Sequence, residues 1–223
     1  MDSVKINDEL LIPAGRHTLD PEEVSARQRE RLLRAMGLCV SGQGYVETTI
    51  ADVVRVARTS RTVFYKHFAD KEACFLETYG QMTRARIGAS LEAAAAVEGW
   101  REKLAAGIGA YFRWMADHPE VAVTTVVEVH RAGRRALEAR GQALEDWTRT
   151  LAGVAVLAAR SGDRVELDEA AYAAILLTAE AYVHEYALQG RLDCVDERAA
   201  AVQELARLLF EGATSRPQPD IAP

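Results

Sequence analysis

The sequence lacks most of what enzymes, secreted proteins and membrane proteins carry. Its 223 residues include only three cysteines, Cys39, Cys74 and Cys194, with no CxxC pair. An odd, scattered set of thiols argues against a disulfide framework or a zinc ribbon and suits a reducing compartment, so packed thiols are expected. The longest apolar stretch, Leu151 to Ala159, is about half of the ~20 residues needed to cross a bilayer. The opening residues Met1-Asp2-Ser3-Val4-Lys5 show no basic segment followed by an apolar core. A soluble cytoplasmic protein with no membrane partner is expected. Gly42-Gln43-Gly44 lacks the third glycine and the preceding strand of a dinucleotide loop, and neither a P-loop nor GxSxG occurs. Glu180 and His184 have a spacing that suits a metal, but no third ligand accompanies them, and His184-Glu185 has no second histidine at the zinc-protease spacing. No catalytic residue, metal or cofactor is therefore expected, and the chain is not read as an enzyme.

The formal net charge of −6 also argues at first against an anionic partner. Its distribution reverses that impression. Residues 1–72 hold 11 Lys and Arg against 11 Asp and Glu, so the remainder carries the whole deficit. Between 55 and 71, Arg55, Arg58, Arg61, Lys66 and Lys71 face only Asp70. Phosphate binding needs a local positive face, not a basic protein as a whole.

Strand signals are absent, while helical signals recur along the chain. Residues 1–19 have no clean period and read as a loose arm. Asp20-Pro21-Glu22-Glu23 then reads as a helix start, with a cap, a proline at the first position and acid at the positive end. Leu32, Leu33, Met36, Cys39 and Val40 make one apolar face, and Gly42 ends the helix. Thr49-Ile50-Ala51-Asp52 has the capping-box pattern and opens a two-turn helix whose inner face is Ile50, Val53, Val54 and Ala57. Ser60 caps a third helix, with Phe64 and Phe68 directed inward, and Asp70 caps a fourth. Three short helices over 20–69, the last two joined by a tight turn, have a helix-turn-helix outline. Further helices are expected near 70–97, 101–117, 119–131, 134–161, 167–189 and 195–212. The fold class is thus all-α: a 20–69 helix-turn-helix domain, a 70–212 helical bundle, about nine helices, and a disordered tail over 213–223.

The segment from Gly44 to Tyr79 reads GYVETTIADVVRVARTSRTVFYKHFADKEACFLETY. Its Thr-Ile-Ala-Asp helix start, Ser60, Phe64-Tyr65-Lys66-His67-Phe68 and Asp70-Lys71-Glu72 resemble the TetR family of bacterial transcriptional regulators. That resemblance implies a cytoplasmic homodimer that binds double-stranded DNA at a palindromic operator. It also implies a C-terminal bundle that binds a small-molecule effector and dimerises through the last two helices. The chain departs from the pattern at the turn, where the family usually has a glycine and then an apolar residue. Arg58 and Thr59 stand there, and Arg58 costs ~1 kcal/mol if the turn keeps its left-handed backbone. In return it places a cation near the DNA backbone.

A recognition helix presents short polar and charged side chains to base edges at its N-terminal end. Ser60, Arg61, Thr62 and Val63 occupy that end. Arg61 suits the O6/N7 pair of a guanine, and a Thr62 or Val63 methyl suits a thymine methyl. Tyr65, Lys66, His67 and Lys71 suit phosphates, as the resemblance also implies. Thr49, at a helix start, suits a phosphate through its hydroxyl and backbone N–H. In the C-terminal part, aromatic residues cluster on helices. Tyr111, Trp114, Trp147 and Tyr172, with the polar His130 and Glu180, are the expected lining of a site for a hydrophobic or aromatic ligand. A small-residue stripe (Ala171, Ala174, Thr178, Ala181) and an apolar face (Val202, Leu205, Ala206, Leu209, Phe210) are expected to form the dimer contact. The expected function is a sequence-specific repressor released from DNA by its ligand. The alternative is an all-helical ligand-binding protein or enzyme without DNA binding, with an incidental Tyr-Lys-His run.

Overall fold

The computed structural model describes residues 20–163, 165 and 167–213, together with the backbone of Thr214. The arm expected over 1–19 and the tail beyond 214 lie outside the described residues. Nine α-helices and no strand occur among the described residues: α1 Pro21–Gln43, α2 Ile50–Val56, α3 Arg61–His67, α4 Lys71–Ala95, α5 Trp100–Asp117, α6 Pro119–Ala122, α7 Arg134–Arg160, α8 Glu169–Leu188 and α9 Ala199–Thr214.

The helix starts follow the capping residues. Asp20 Oδ1 accepts from Glu22 N at 3.1 Å, ahead of Pro21. Thr49 and Asp52 form the reciprocal box, Ser60 Oγ accepts from Val63 N at 3.2 Å, and Asp70 Oδ1 accepts from Ala73 N at 2.7 Å. Each such cap contributes about 1 kcal/mol, which matters most to two-turn helices that are marginal alone. Between α6 and α7 the sequence pattern predicts one helix over 119–131, and the structure breaks it. A π-helical turn covers Val123–Val127 and a 3-10 turn covers Glu128–Arg131. The cause lies in a run of β-branched residues, stiff at χ1. Thr125 Oγ1 also bonds back to Val121 O at 2.8 Å, a pattern that weakens regular helix geometry. Likewise, α9 begins at Ala199 after a 3-10 stretch over Leu192–Arg198, and it continues past 212.

Two cores share α4. The first packs Leu32, Met36 and Val40 of α1 with Val53, Phe64 and Phe68, and takes in Cys74, Phe75 and Tyr79 of α4. It also takes in Val129, Ala132, Ala136 and Ala143, from the 3-10 turn and the first half of α7. Position 70 therefore starts a helix but does not bound a core. Phe64 is fully buried, which is worth ~1.5–3 kcal/mol, and its ring lies 5.6 Å from that of Phe68. The second core gathers Trp100, Phe112, Met115, Ile175, Val183, Val202, Ala206 and Phe210 from α5, α8 and α9. Trp100 stacks on Phe210 at 5.6 Å and donates from Nε1 to Asp163 Oδ2 at 2.8 Å, so the start of α5 is tied to both α9 and the α7–α8 loop.

One carboxylate joins the two parts. Glu128 is buried, and its Oε2 accepts from Tyr45 N at 2.7 Å. Gly44 has φ +87, and a Cβ there would sit 3.3 Å from Glu128 Oε2, so both the backbone and the close approach require glycine. Nearby, Thr124 Oγ1 donates to Gly37 O at 3.4 Å.

All three cysteines are free, and Cys39 and Cys74 sit in the first core. Burial pushes the Cys39 thiol up to about 11 and the Cys74 thiol up to about 12, which suppresses their thiolates. In the native protein at mildly alkaline pH, a maleimide reagent is expected to modify half-buried Cys194 alone, with Cys39 and Cys74 reacting only after denaturation. Mass spectrometry of the labelled peptides checks this, and rapid native labelling of Cys74 would contradict the packing.

Candidate DNA interface and ligand cavity

The helix-turn-helix is built on its turn. Arg58 has φ 50, the one non-glycine residue in left-handed backbone among the described residues. Around it, Arg58 N donates to Arg55 O at 3.2 Å and Thr59 N donates to Val54 O at 2.9 Å. This is a Schellman close of α2, with an arginine where glycine is favoured. The strain is held by Arg31 of α1, a buried side chain whose Nη2 donates to the carbonyls of Ala57 and, at 2.7 Å, Arg58. Removing that guanidinium would leave two inward carbonyls unpaired, a cost of about 1–3 kcal/mol each.

This frame leaves one face of α3 outward. Ser60, Arg61, Thr62, Tyr65 and Lys66 are exposed, with Tyr65 at 58%. Val63 and Thr59 are half-buried, and Thr49 and Arg58 are exposed alongside. Among the described residues, no ion pair engages Arg58, Arg61 or Lys66. Three cations thus stand on one surface, held by the buried Phe64 on the opposite side of α3. The Thr49 hydroxyl donates to Asp52 Oδ2 at 2.6 Å. These hydrogen bonds, with that from Arg55, hold the Asp52 carboxyl well below the usual carboxylate range.

Two residues expected on this surface point elsewhere. Lys71 Nζ donates to Tyr45 O at 2.9 Å and Thr48 O at 3.0 Å, with Val46 O at 3.5 Å, and lies 4.2 Å from the Tyr45 ring centroid. An ammonium has three donors, and here the backbone of the 45–48 loop takes them, so Lys71 fastens that loop. Burial lowers its pKa. His67 is half-buried, and its Nε2 is enclosed without a hydrogen-bond partner among the described residues. Burial, then the charges of Arg29 and Lys66, lower the imidazole pKa. Neither departure has a signature in spacing, because both depend on where the loop and α1 lie.

In the C-terminal part, a cavity of about 670 Å³ lies among α4, α5, α7, α8 and α9. Of the expected ligand residues, Tyr111, Trp147 and Glu180 line it. Trp114, His130 and Tyr172 do not. Trp114 stacks on His118 at 4.2 Å, Tyr172 packs edge-on to Phe210 at 5.9 Å, and His130 is exposed on the 3-10 turn. An aromatic-rich helix has more than one face, and these three rings sit on the faces turned away. The lining also includes Arg86, Ser90 and Lys103, which spacing of aromatics missed. A readable signal existed for Arg86: Phe75, Tyr79, Thr83, Arg86 and Ser90 recur at successive turns of α4, and all are buried. Glu180 is engaged by two guanidiniums. It accepts from Arg86 Nη2 at 3.4 Å and from Arg140 Nη2. The expected α9 dimer face is also corrected. Val202, Ala206 and Phe210 are fully buried within the subunit, because α9 turns them onto α5 and Trp100.

Comparison with known proteins bears on the same two parts. Residues 39–78 match the sequence model described as bacterial regulatory proteins, tetR family. No curated protein matches the sequence. Among solved structures, the chain is similar to the transcriptional regulator FadR from Bacillus subtilis, solved in complex with stearoyl-CoA. The identity is 20% and the TM-score 0.72, over 82% of this chain and 98% of that one. FadR from Bacillus halodurans, a fatty acid degradation regulator, gives 18% and 0.71 over 85% and 97%. A TetR family transcription regulator from Marinobacter aquaeolei gives 20% and 0.65 over 84% and 96%. At such identities the likeness is one of fold.

Arg58→Gly is expected to stabilise the protein by about 0.5–1 kcal/mol, since glycine accepts the left-handed turn, and to weaken duplex binding by removing a cation. Denaturant midpoints and fluorescence anisotropy report the two effects separately. A destabilised variant would show that Arg58 contributes more than its strain costs.

Proposed function

Because residues 39–78 match the model of the tetR family of bacterial regulatory proteins, we propose that the chain is a member of that family and a sequence-specific repressor. On this reading it acts as a homodimer and leaves a palindromic operator when a small apolar ligand fills the C-terminal cavity. The observation that carries the DNA-binding reading is the exposed trio of Arg58 in the turn and Arg61 and Lys66 on α3, without ion pairs among the described residues, on a helix whose inner side is the buried Phe64. An incidental charged face would not need a recognition helix fastened by Arg31 behind its turn and by Lys71 beside it.

The division of labour follows from position. Arg61, Thr62 and Val63 begin α3 and meet base edges, while Ser60, Tyr65, Lys66, Arg58 and Thr59 lie toward phosphates; Thr49, expected to do the same, gives its hydroxyl and backbone N–H to Asp52 instead. His67 and Lys71 act mainly by holding the module together. Two copies approach through α8 and α9. On α8, Ala170, Ala174, Leu177, Ala181 and Leu188 are exposed on one stripe, and Leu208 is exposed on α9. Leu177, Leu188 and Leu208 are 42%, 66% and 55% exposed, an apolar surface that a second copy would cover.

Ligand and operator are coupled through α4 and through Glu128. The first turns of α4 belong to the DNA-side core, while Arg86, Ser90 and Leu91 line the cavity. A ligand that spreads α4 from α7 would change the distance between the two recognition helices of the dimer. A coupling of ~1–3 kcal/mol suffices for a working switch. The stearoyl-CoA bound to the Bacillus subtilis FadR supports a long apolar chain as the ligand's body.

Selection of bound fragments from random duplex DNA is expected to return a palindrome, with log K falling by ~0.9 per phosphate contact as log salt rises. Failure to bind any duplex at low ionic strength would overturn the reading. Arg61→Ala is expected to relax preference at one base pair per half-site by ~1–3 kcal/mol, whereas Lys66→Ala weakens all duplexes alike. Equal profiles for the two variants would refute the assignment of roles. Leu177→Asp combined with Leu208→Asp is expected to halve the mass measured by light scattering and to abolish binding to the full palindrome. An unchanged dimer would place the contact elsewhere.

A further inference from the structure

The cavity carries charge at both ends: Lys103, its Nζ donating to Ala94 O and Val97 O, and exposed Arg160 stand at the outer end. Arg140 at the start of α7 reaches Glu180, and Trp147 lies beside Arg86, so the buried end gathers Arg86, Tyr111, Trp147 and Glu180. At the other end Leu91, Val156 and Leu157 are 49%, 54% and 36% exposed, which marks the mouth. From Arg86 to Ala95 along α4 is about 13 Å at the 1.5 Å rise of a helix, and from Trp147 to Leu157 along α7 about 15 Å. The space is therefore a slot of that length, open at a mouth where Leu91, Val156 and Leu157 stand with Lys103 and Arg160.

The buried end is short of negative charge. Two guanidiniums, Arg86 and Arg140, share the single carboxylate of Glu180. Arg86 is 2% exposed, and its Nε and Nη1 have no hydrogen-bond partner among the described residues. The Tyr111 hydroxyl and Trp147 Nε1 in the same wall are also without partners there. The rings of Tyr111 and Trp147 lie 6.0 and 5.9 Å from the Arg86 guanidinium carbon and offer it only their π faces. A solvating water would satisfy donors but would not neutralise the surplus charge, and a cation in a dry wall is costly without an anion.

On the reading that this cavity takes the effector, we infer that its buried end is an anion subsite. Arg86 receives the carboxylate of an amphipathic monoanion there, while the ligand's apolar body runs between α4 and α7 to Leu91 and Leu157. Tyr111 and Trp147 supply neutral donors to the same carboxylate. The ligand enters acid first. This is opposite to a coenzyme A thioester, whose polyanionic end is too large for the slot and would stay at the mouth, leaving Arg86 against a terminal methyl.

Calorimetry of the full-length protein with decanoate, decanol and decanoyl-CoA separates these cases. The three share a ten-carbon chain and differ only in the head group, which decanoate and decanol would present to Arg86 and decanoyl-CoA to the mouth. Decanoate is expected to bind at least tenfold more tightly than decanol to the unaltered protein. Arg86→Gln is expected to remove that preference while leaving decanol affinity within about twofold, and Arg86→Lys to restore part of it. Comparing decanoate with decanol on the unaltered protein keeps the test valid even if the Arg86 variants fail to fold. Equal binding of decanoate and decanol would overturn the subsite but leave an apolar effector cavity. Tighter binding of decanoyl-CoA that survives Arg86→Gln would also overturn it. Operator binding, followed by anisotropy in the same samples, is read separately: if no probe binds but the duplex does, the subsite falls and the DNA-binding reading stands.

Discussion

The buried guanidinium of Arg31 is the contact on which the amino-terminal module depends. Helices α2 and α3 have two turns each, too short to persist alone. Their mutual angle is fixed by a turn with a left-handed arginine, a conformation that opposes itself by ~1–2 kcal/mol. Arg31 crosses from α1 to hold the two carbonyls of that turn, and Phe64 fills the space beneath. Everything outward on α3 inherits its position from these two buried groups.

The second constraint is that α4 serves two interiors at once. Its first half has Cys74, Phe75 and Tyr79 in the core of the helix-turn-helix, and its second half forms one wall of the cavity. Close-packed interiors shift as units rather than deforming smoothly. A helix that belongs to both carries a displacement from one to the other without any added device. Glu128, bonded to Tyr45 N, and Lys71, bonded to the carbonyls of the same loop, make the module answer to the body at a second place.

The sequence made the helices legible because their starts carry local chemistry: Asp20-Pro21, the Thr49–Asp52 box, Ser60 and Asp70 all cap as their residue types suggest. Core positions such as Met36, Val53 and Phe64 followed from period. Features set by long-range contact were not legible. Lys71 turns inward because a loop 23–26 residues earlier offers carbonyls. Val202, Ala206 and Phe210 form an apolar face whether a neighbour in the same chain or a second subunit covers it, and periodicity does not distinguish the two. The cavity lining mixed one face of α5 with others of α7 and α8, so counting aromatics gathered Tyr111 and Trp147 together with Trp114 and Tyr172, which point away. Arg86 has its own signal, a charge on the stripe of buried positions Phe75, Tyr79, Thr83 and Ser90 of α4, which is independent of the aromatic pattern.

The widened turn at Val123–Val127 has a consequence for how this chain tolerates length change. A π turn takes up about one residue more than an α turn, so the surplus is absorbed with little change in the angular phase at which Glu128 leaves the helix. Deleting a single residue there lets the wide turn close to an ordinary one, in which four residues cover roughly the 400° that five covered, so Glu128 keeps its direction toward Tyr45 N. The α7–α8 loop around Gly162 is anchored differently, by Asp163, whose Oδ2 accepts from Trp100 Nε1 and Arg101 Nη1. Homologous chains should therefore be able to lose one residue between Pro119 and Gly133 without losing the Glu128 contact, whereas the loss of two would swing that carboxylate by roughly 100°.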